Sequence, residues 1–84
     1  MTQIISFTLD EAGADDRRAA LAYVTEAFAE AILAGIESDS FAQAALFAAL
    51  RELVATYGED SVAIFAEGLP GRLRAGEFST GAKH

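Results

Sequence analysis

The stretch DDRRAALAYVTEAFAEAILA, residues 15–34, decides the fold class of this chain of 84 residues. Its apolar residues recur every three to four positions, which is the spacing of one face of an α-helix. The apolar side is Leu21, Val24, Phe28, Ala31 and Ile32, and the opposite side is Arg18, Ala22, Glu26 and Glu30. Asp15 and Asp16 suit the positive N-terminal end of a helix, and Gly35 suits its C-terminal end. We therefore predict a helix from about residue 15 to Ala34.

A second helix is predicted from Phe41 to Tyr57, after a short turn. Ser40 and Gln43 match the capping-box pattern S-x-x-Q, and Gly58 is suited to end the helix. The expected apolar face consists of Ala42, Ala45, Leu46, Ala49, Leu50, Leu53 and Tyr57. Three aromatic residues lie beside the main apolar faces, and their joint exposure would indicate an interface: Tyr23, Phe41 and Phe47.

Two shorter helical segments are expected next. The first is predicted over residues 59–67, starting at Glu59 or Asp60. Its apolar stripe is Val62, Phe65, Ala66 and Leu69. Pro70 is suited to the first position of a last helical turn over residues 71–75, and Gly76 is suited to close that turn.

The ends of the chain complete the predicted fold. Residues 3–9 alternate apolar and polar side chains, which predicts an extended arm or strand. Short connections between helices favour antiparallel packing. We therefore predict an all-α single domain, with a compact body of three to four helices built on an antiparallel helical hairpin. Its parts are an extended arm over residues 1–13, a helical body over 14–76 and a flexible tail over 77–84.

The residue inventory excludes most catalytic and metal sites. The chain has no Cys, and its only His is His84 at the C-terminal end. Ser-His and Cys-His catalysis needs a base held in fixed geometry, which a terminal His rarely is. Zinc and haem sites would lack their usual Cys and His ligands. We therefore expect no enzyme activity, no cofactor and no metal. The sequence has neither a signal-peptide pattern nor a long uncharged apolar run, so the cytoplasm is the expected location.

Negative charge is concentrated in the first 67 residues. They hold twelve Asp and Glu against three Arg, a net charge of −9, whereas residues 68–84 carry +2. An acidic body repels phosphate, so we expect no direct nucleic-acid binding, and no segment suits a membrane. A protein with a basic surface is the expected partner. The abundance of Ala, which buries little area, also leaves a homodimer open.

The candidate partner-binding residues are carboxylates in two groups. Glu26 and Glu30 lie four residues apart, and Glu37 would continue their stripe if the helix extended that far. The second group, around Gly13, is Asp10, Glu11, Asp15 and Asp16. The spacing of these four acids departs from the EF-hand order. This departure favours the interpretation that they are acids at a helix start and not a cation-binding loop. For the stripe, the alternatives are contact with a basic partner and an ordinary solvated face.

Two resemblances bear on function. A strand-like segment followed by two helices resembles the ribbon–helix–helix DNA-binding family over residues 3–57, which implies a dimeric regulator with a ribbon at 3–9. That ribbon has no Lys or Arg. In size and acidity the chain resembles small phage-encoded inhibitors, including anti-CRISPR proteins, which implies occlusion of a nucleic-acid-binding surface. The leading hypothesis is such an inhibitor acting as a nucleic-acid mimic. The alternatives are the regulator and a helical adaptor that binds through an apolar face.

Overall fold

The computed structural model describes the backbone of residues 11–81 and the side chains from Ala14 onward. It contains four α-helices over that range. Helix α1 spans Glu11–Leu33, α2 spans Ser38–Tyr57, α3 spans Glu59–Glu67 and α4 spans Leu69–Arg74. The predicted all-α class is confirmed, since no strand occurs between residues 11 and 81. The predicted arm or strand at residues 3–9 lies outside the described residues.

Helix α1 begins earlier than the sequence pattern predicts. It starts at Glu11 rather than near residue 15, so residues 11–13 of the predicted arm are helical. Gly13 alone disfavours a helix by about 1 kcal/mol relative to Ala. Gly13 nevertheless lies within α1.

Gly35 ends α1 through a Schellman arrangement. Its φ of +87° takes the chain into the left-handed region. The N–H of Ile36 donates to the carbonyl of Ala31 at 3.0 Å, and the N–H of Gly35 donates to that of Ile32 at 3.0 Å. The predicted helix stop at Gly35 is therefore confirmed, and residues beyond it no longer belong to α1.

Replacing Gly35 with Ala is expected to lower the free energy of unfolding by about 1 to 2 kcal/mol, the cost of a left-handed conformation for a residue with a Cβ. No atom lies within 4 Å of the Cβ position, so the cost is conformational rather than steric. Gly71→Ala is the matched control, because Gly71 also has open space but lies inside α4 without a positive φ. Urea unfolding should show the control unchanged or slightly stabilised. Equal stability of the two variants would contradict this account of the turn.

Helix α2 begins at Ser38, three residues before the predicted start. The N–H of Phe41 already donates to the carbonyl of Glu37 at 3.0 Å, so Ser40 lies inside the helix and the predicted capping box is wrong. Gln43 Nε2 donates instead to the carboxylate of Asp39 at 3.3 Å. Asp39 occupies the first turn, where an acid is stabilised by the helix dipole, and this favours the earlier start.

The described residues divide into two compact units, 11–51 and 52–81. In the first unit Ala31 is buried, and Phe28 and Phe41 are half-buried. The two rings meet edge to face, with centroids 4.7 Å apart and planes at 80°, an arrangement favoured by their quadrupoles. This contact joins the end of α1 to the start of α2.

In the second unit α3 and α4 contact each other. Helix α3 has the predicted bounds, and its Val62 is 5% exposed. The other residues of the predicted stripe are half-buried: Phe65, Ala66 and Leu69. The stripe is therefore confirmed for Val62, Phe65 and Ala66, whereas Leu69 begins α4. Helix α4 starts two residues before the predicted last turn, with Pro70 in its first turn, where the missing N–H is not needed.

Most of the predicted apolar surface of α1 and α2 remains exposed. Ala31 and Val62 are the only buried apolar residues among those described. Leu46, in the middle of the predicted α2 face, is 53% exposed. The exposed large apolar residues are Leu21, Tyr23, Val24, Ile32, Leu33, Ile36, Leu46, Phe47, Ile64, Leu73 and Phe78. Because Ala occurs on every side of both long helices, the apolar periodicity does not select a single buried face.

Candidate protein-binding surface of helix α1

The acidic face of α1 consists of Tyr23, Glu26 and Glu30. Their spacing of three and four residues places them on one side of the helix. All three are exposed, Tyr23 by 76%. The ion pairs of the described residues involve neither carboxylate, so the repulsion between Glu26 and Glu30 is not offset by a paired cation. An aromatic ring beside two carboxylates can accept Lys and Arg side chains from another protein, by charge and by cation–π contact.

Glu37 does not continue the acidic face. Helix α1 ends at Leu33, and the turn at Gly35 redirects the chain before Glu37 is reached. Glu37 lies at the entry to α2, where its carbonyl accepts the N–H of Phe41. The condition under which Glu37 would join Glu26 and Glu30 is therefore not met, because a helical stripe requires an uninterrupted helix.

Three positions of the second group of predicted carboxylates, Glu11, Asp15 and Asp16, lie on α1 rather than in a loop. Asp15 pairs with Arg18 Nη1 at 3.3 Å, and both side chains are 77% exposed, so the pair contributes little to stability. Asp16 is also exposed. Asp10 and the side chain of Glu11 lie outside the described part of the chain. Within that part, no three acidic or His side chains are grouped so as to hold a metal ion.

A shallow open groove runs beside the acidic face. We call it the α1 groove; its lining residues are Arg18, Leu21, Ala22, Thr25, Glu26 and Ala29. The lining is mainly apolar, with Arg18 near its N-terminal end and Glu26 toward the other. Sequence reasoning missed this groove because it assigned Leu21 to the core. The signal that could have revealed it is the run of small residues Ala22, Thr25 and Ala29 at spacings of three and four.

Arg72 of α4 contacts residues that follow it closely in the chain. Arg72 Nε donates to Glu77 Oε1 at 2.9 Å, and its guanidinium carbon lies 5.3 Å from the centroid of the Phe78 ring. This hydrogen bond holds the pKa of the Glu77 carboxyl below its usual value and raises the pKa of the Arg72 guanidinium. Both partners lie in residues 52–81, so Arg72 pairs with the turn that follows its own helix.

None of the described helices is long and apolar enough to cross a membrane. No protein-family model, curated protein or solved structure matches the chain.

Proposed function

We propose that this chain is a non-enzymatic protein-binding module that occupies a basic surface of a larger protein. The observation that carries the proposal is the acidic face of α1, where Tyr23, Glu26 and Glu30 lie exposed side by side. Complementary charge steers association and fixes orientation. Where the basic surface of the partner binds nucleic acid, the bound module occludes it. The most concrete form of the proposal is thus an inhibitor that mimics nucleic acid, the role that the resemblance in size and acidity to anti-CRISPR proteins implies.

The composition of the acidic face supports a protein partner. Tyr is enriched among the residues that contribute most to protein interfaces, because its ring buries a large area at low entropic cost. Tyr23 supplies such a ring, and Glu26 and Glu30 supply charge beside it. Asp16 and Glu37 are exposed outside the acidic face, and their charges would add long-range attraction to the basic surface of the partner.

We further propose that α1 and α2 lie antiparallel as a helical hairpin. The edge-to-face contact between Phe28 and Phe41 supports it, since the contact links residues on the two sides of the Gly35 turn. A helical hairpin of this kind would hold the acidic face of α1 on its outer side.

A helical adaptor that binds through apolar contacts is the second candidate. The observation that favours it is the pair of exposed neighbours Leu46 and Phe47 on α2, at 53% and 62%. Salt distinguishes the two candidates, since screening weakens an electrostatic interface and not an apolar one. The dimeric regulator has no supporting observation among the described residues, because its ribbon would lie at residues 3–9.

The double variant Glu26→Gln/Glu30→Gln is expected to bind the partner roughly tenfold more weakly at low salt, with most of the loss in association rate. The partner is first isolated by affinity capture on the tagged chain and then purified. Affinity is measured at about 50 mM and about 500 mM salt, where the Debye length falls from about 14 Å to about 4 Å. At high salt the difference between variant and parent should shrink to about twofold.

The matched control is Glu52→Gln/Glu67→Gln, which removes the same charge from exposed positions on α2 and α3. It should bind nearly as well as the parent if position, rather than net charge, determines affinity. If the parent and the Glu26→Gln/Glu30→Gln variant are both folded and bind with equal affinity, the acidic face of α1 is not the binding surface. The apolar surface of α2 then becomes the candidate.

A further inference from the structure

Helix α1 carries a second face on the side opposite its acidic face. We call it the apolar face of α1; its residues are Ala14, Leu21, Val24 and Phe28. Their spacings of seven, three and four place them along one side of a helix. In the middle of this face Leu21 is 63% exposed and Val24 is 48% exposed. Neighbouring apolar side chains that are exposed together usually mark a site of contact.

The two ends of the apolar face are partly covered. At one end Phe28 is half-buried, and its ring contacts Phe41 of α2. At the other end Ala14 and Arg17 are half-buried, whereas Ala19 of the same helix is exposed. Because Ala14 and Ala19 have the same side chain, position on the helix and not size determines the difference. The part of the chain that lies nearest to this end in sequence is the segment that precedes α1.

Residues 3–9, which lie outside the described residues, have a composition suited to the apolar face. Ile5, Phe7 and Leu9 occur at every second position. In an extended chain such side chains point to one side, so the segment presents three large apolar groups in a row. It contains no charged residue, so no charge loses its hydration when the segment is covered.

The segment is also long enough to reach the exposed middle of the face. Leu21 and Val24 lie ten and thirteen residues beyond Glu11, which is about 15 Å and about 20 Å along a helix. Seven extended residues span about 23 Å. A segment that reverses direction before Glu11 therefore reaches both side chains and ends before Phe28, which α2 already contacts.

The connection to α1 favours this segment over a second copy of the chain. Only Asp10 separates residues 3–9 from α1. A short connection holds the segment at an effective concentration on the order of millimolar. A second copy at roughly micromolar concentration competes poorly for the same surface.

We propose that residues 3–9 of this chain fold back along the apolar face of α1, with Phe7 beside Leu21. Ile5 then reaches Val24, so the segment covers the part of the face that α2 leaves open. The acidic face lies on the other side of α1 and stays free for a partner. The inference therefore goes beyond the proposed function and does not rest on it.

Fluorescence of a single indole tests the inference. The chain has no Trp, so Phe7→Trp reports only on the surroundings of that side chain. It should emit at shorter wavelength than free tryptophan in the same buffer. Adding Leu21→Asp should shift the emission to that of free tryptophan, because a carboxylate resists the loss of its hydration against a ring. Ala19→Asp places the same charge on the opposite, exposed side of α1 and should leave the emission unchanged.

Two controls keep the fluorescence test decisive. Leu21 is 63% exposed, so its replacement should leave the helices intact, which circular dichroism checks. Dilution from about 50 μM to about 1 μM should leave the emission of Phe7→Trp unchanged, since the connection within one chain does not depend on concentration. Emission like that of free tryptophan, or an equal response to the two Asp variants, would overturn the inference. A shift on dilution would assign the face to a second copy and overturn it as well.

Cross-linking provides a test that keeps every apolar side chain of the segment and of the face. The chain has no Cys, so Ser6→Cys/Thr25→Cys introduces one thiol on the segment and one beside the apolar face. A short bismaleimide should link the two thiols within one chain. The control Ser6→Cys/Ala19→Cys has its second thiol on the opposite side of α1 and should stay mostly unlinked. Equal linking of the two pairs, or linked dimers in place of linked monomers, would contradict the proposal.

Discussion

Replacing Phe28 with Ala is expected to lower the free energy of unfolding by about 2 to 4 kcal/mol, near the range for removal of a large core side chain. Phe28 is half-buried beside the buried Ala31, and its ring meets Phe41 edge to face at 4.7 Å. Removal of the ring therefore loses both apolar burial and the aromatic contact that joins α1 to α2. Urea unfolding followed by helical circular dichroism measures the change.

Phe47→Ala is the control for the Phe28 variant, because the chemical change is identical and Phe47 is 62% exposed. Its effect should stay below about 1 kcal/mol. Both variants are compared at one protein concentration, since self-association would make stability depend on concentration. If Phe47→Ala proves as destabilising as Phe28→Ala, the contact of Phe28 with Phe41 is not what holds the first unit together.

The second large effect is expected from Val62→Asp, which should lower the free energy of unfolding by about 3 kcal/mol or more. Val62 is 5% exposed, so the new carboxylate would lose its hydration without a partner, and burial of an unpaired charge is among the most costly single changes. In a small domain with roughly 5 to 15 kcal/mol of stability, this change could unfold the chain.

Ala63→Asp places the same carboxylate one residue further along α3, at an exposed position. Thermal melting should show it within about 0.5 kcal/mol of the parent, as for most surface substitutions. A Val62→Asp variant that melts with the Ala63→Asp control would mean that Val62 is not part of the core in solution.

The sequence determined the helical class and where most helices end. Gly35, Gly58 and Gly76 each adopt a positive φ at a helix end, as predicted, because only glycine enters that region without a Cβ clash. The acidic pair Glu26 and Glu30 was also correctly placed on one face, since spacing within a helix is a local property. Whether that face binds a partner stays a prediction.

Only the tertiary structure decided which apolar residues are buried. Leu46 and Leu21 belong to the predicted apolar faces yet are exposed, whereas Val62 on the short α3 is buried. The physical reason is that helices rich in Ala are weakly amphipathic, so several faces could be buried and long-range contacts choose between them. The α1 groove escaped sequence reasoning because Leu21 was assigned to the core, and the Arg72–Glu77 contact escaped it because the turn at Gly76 brings Glu77 back to Arg72.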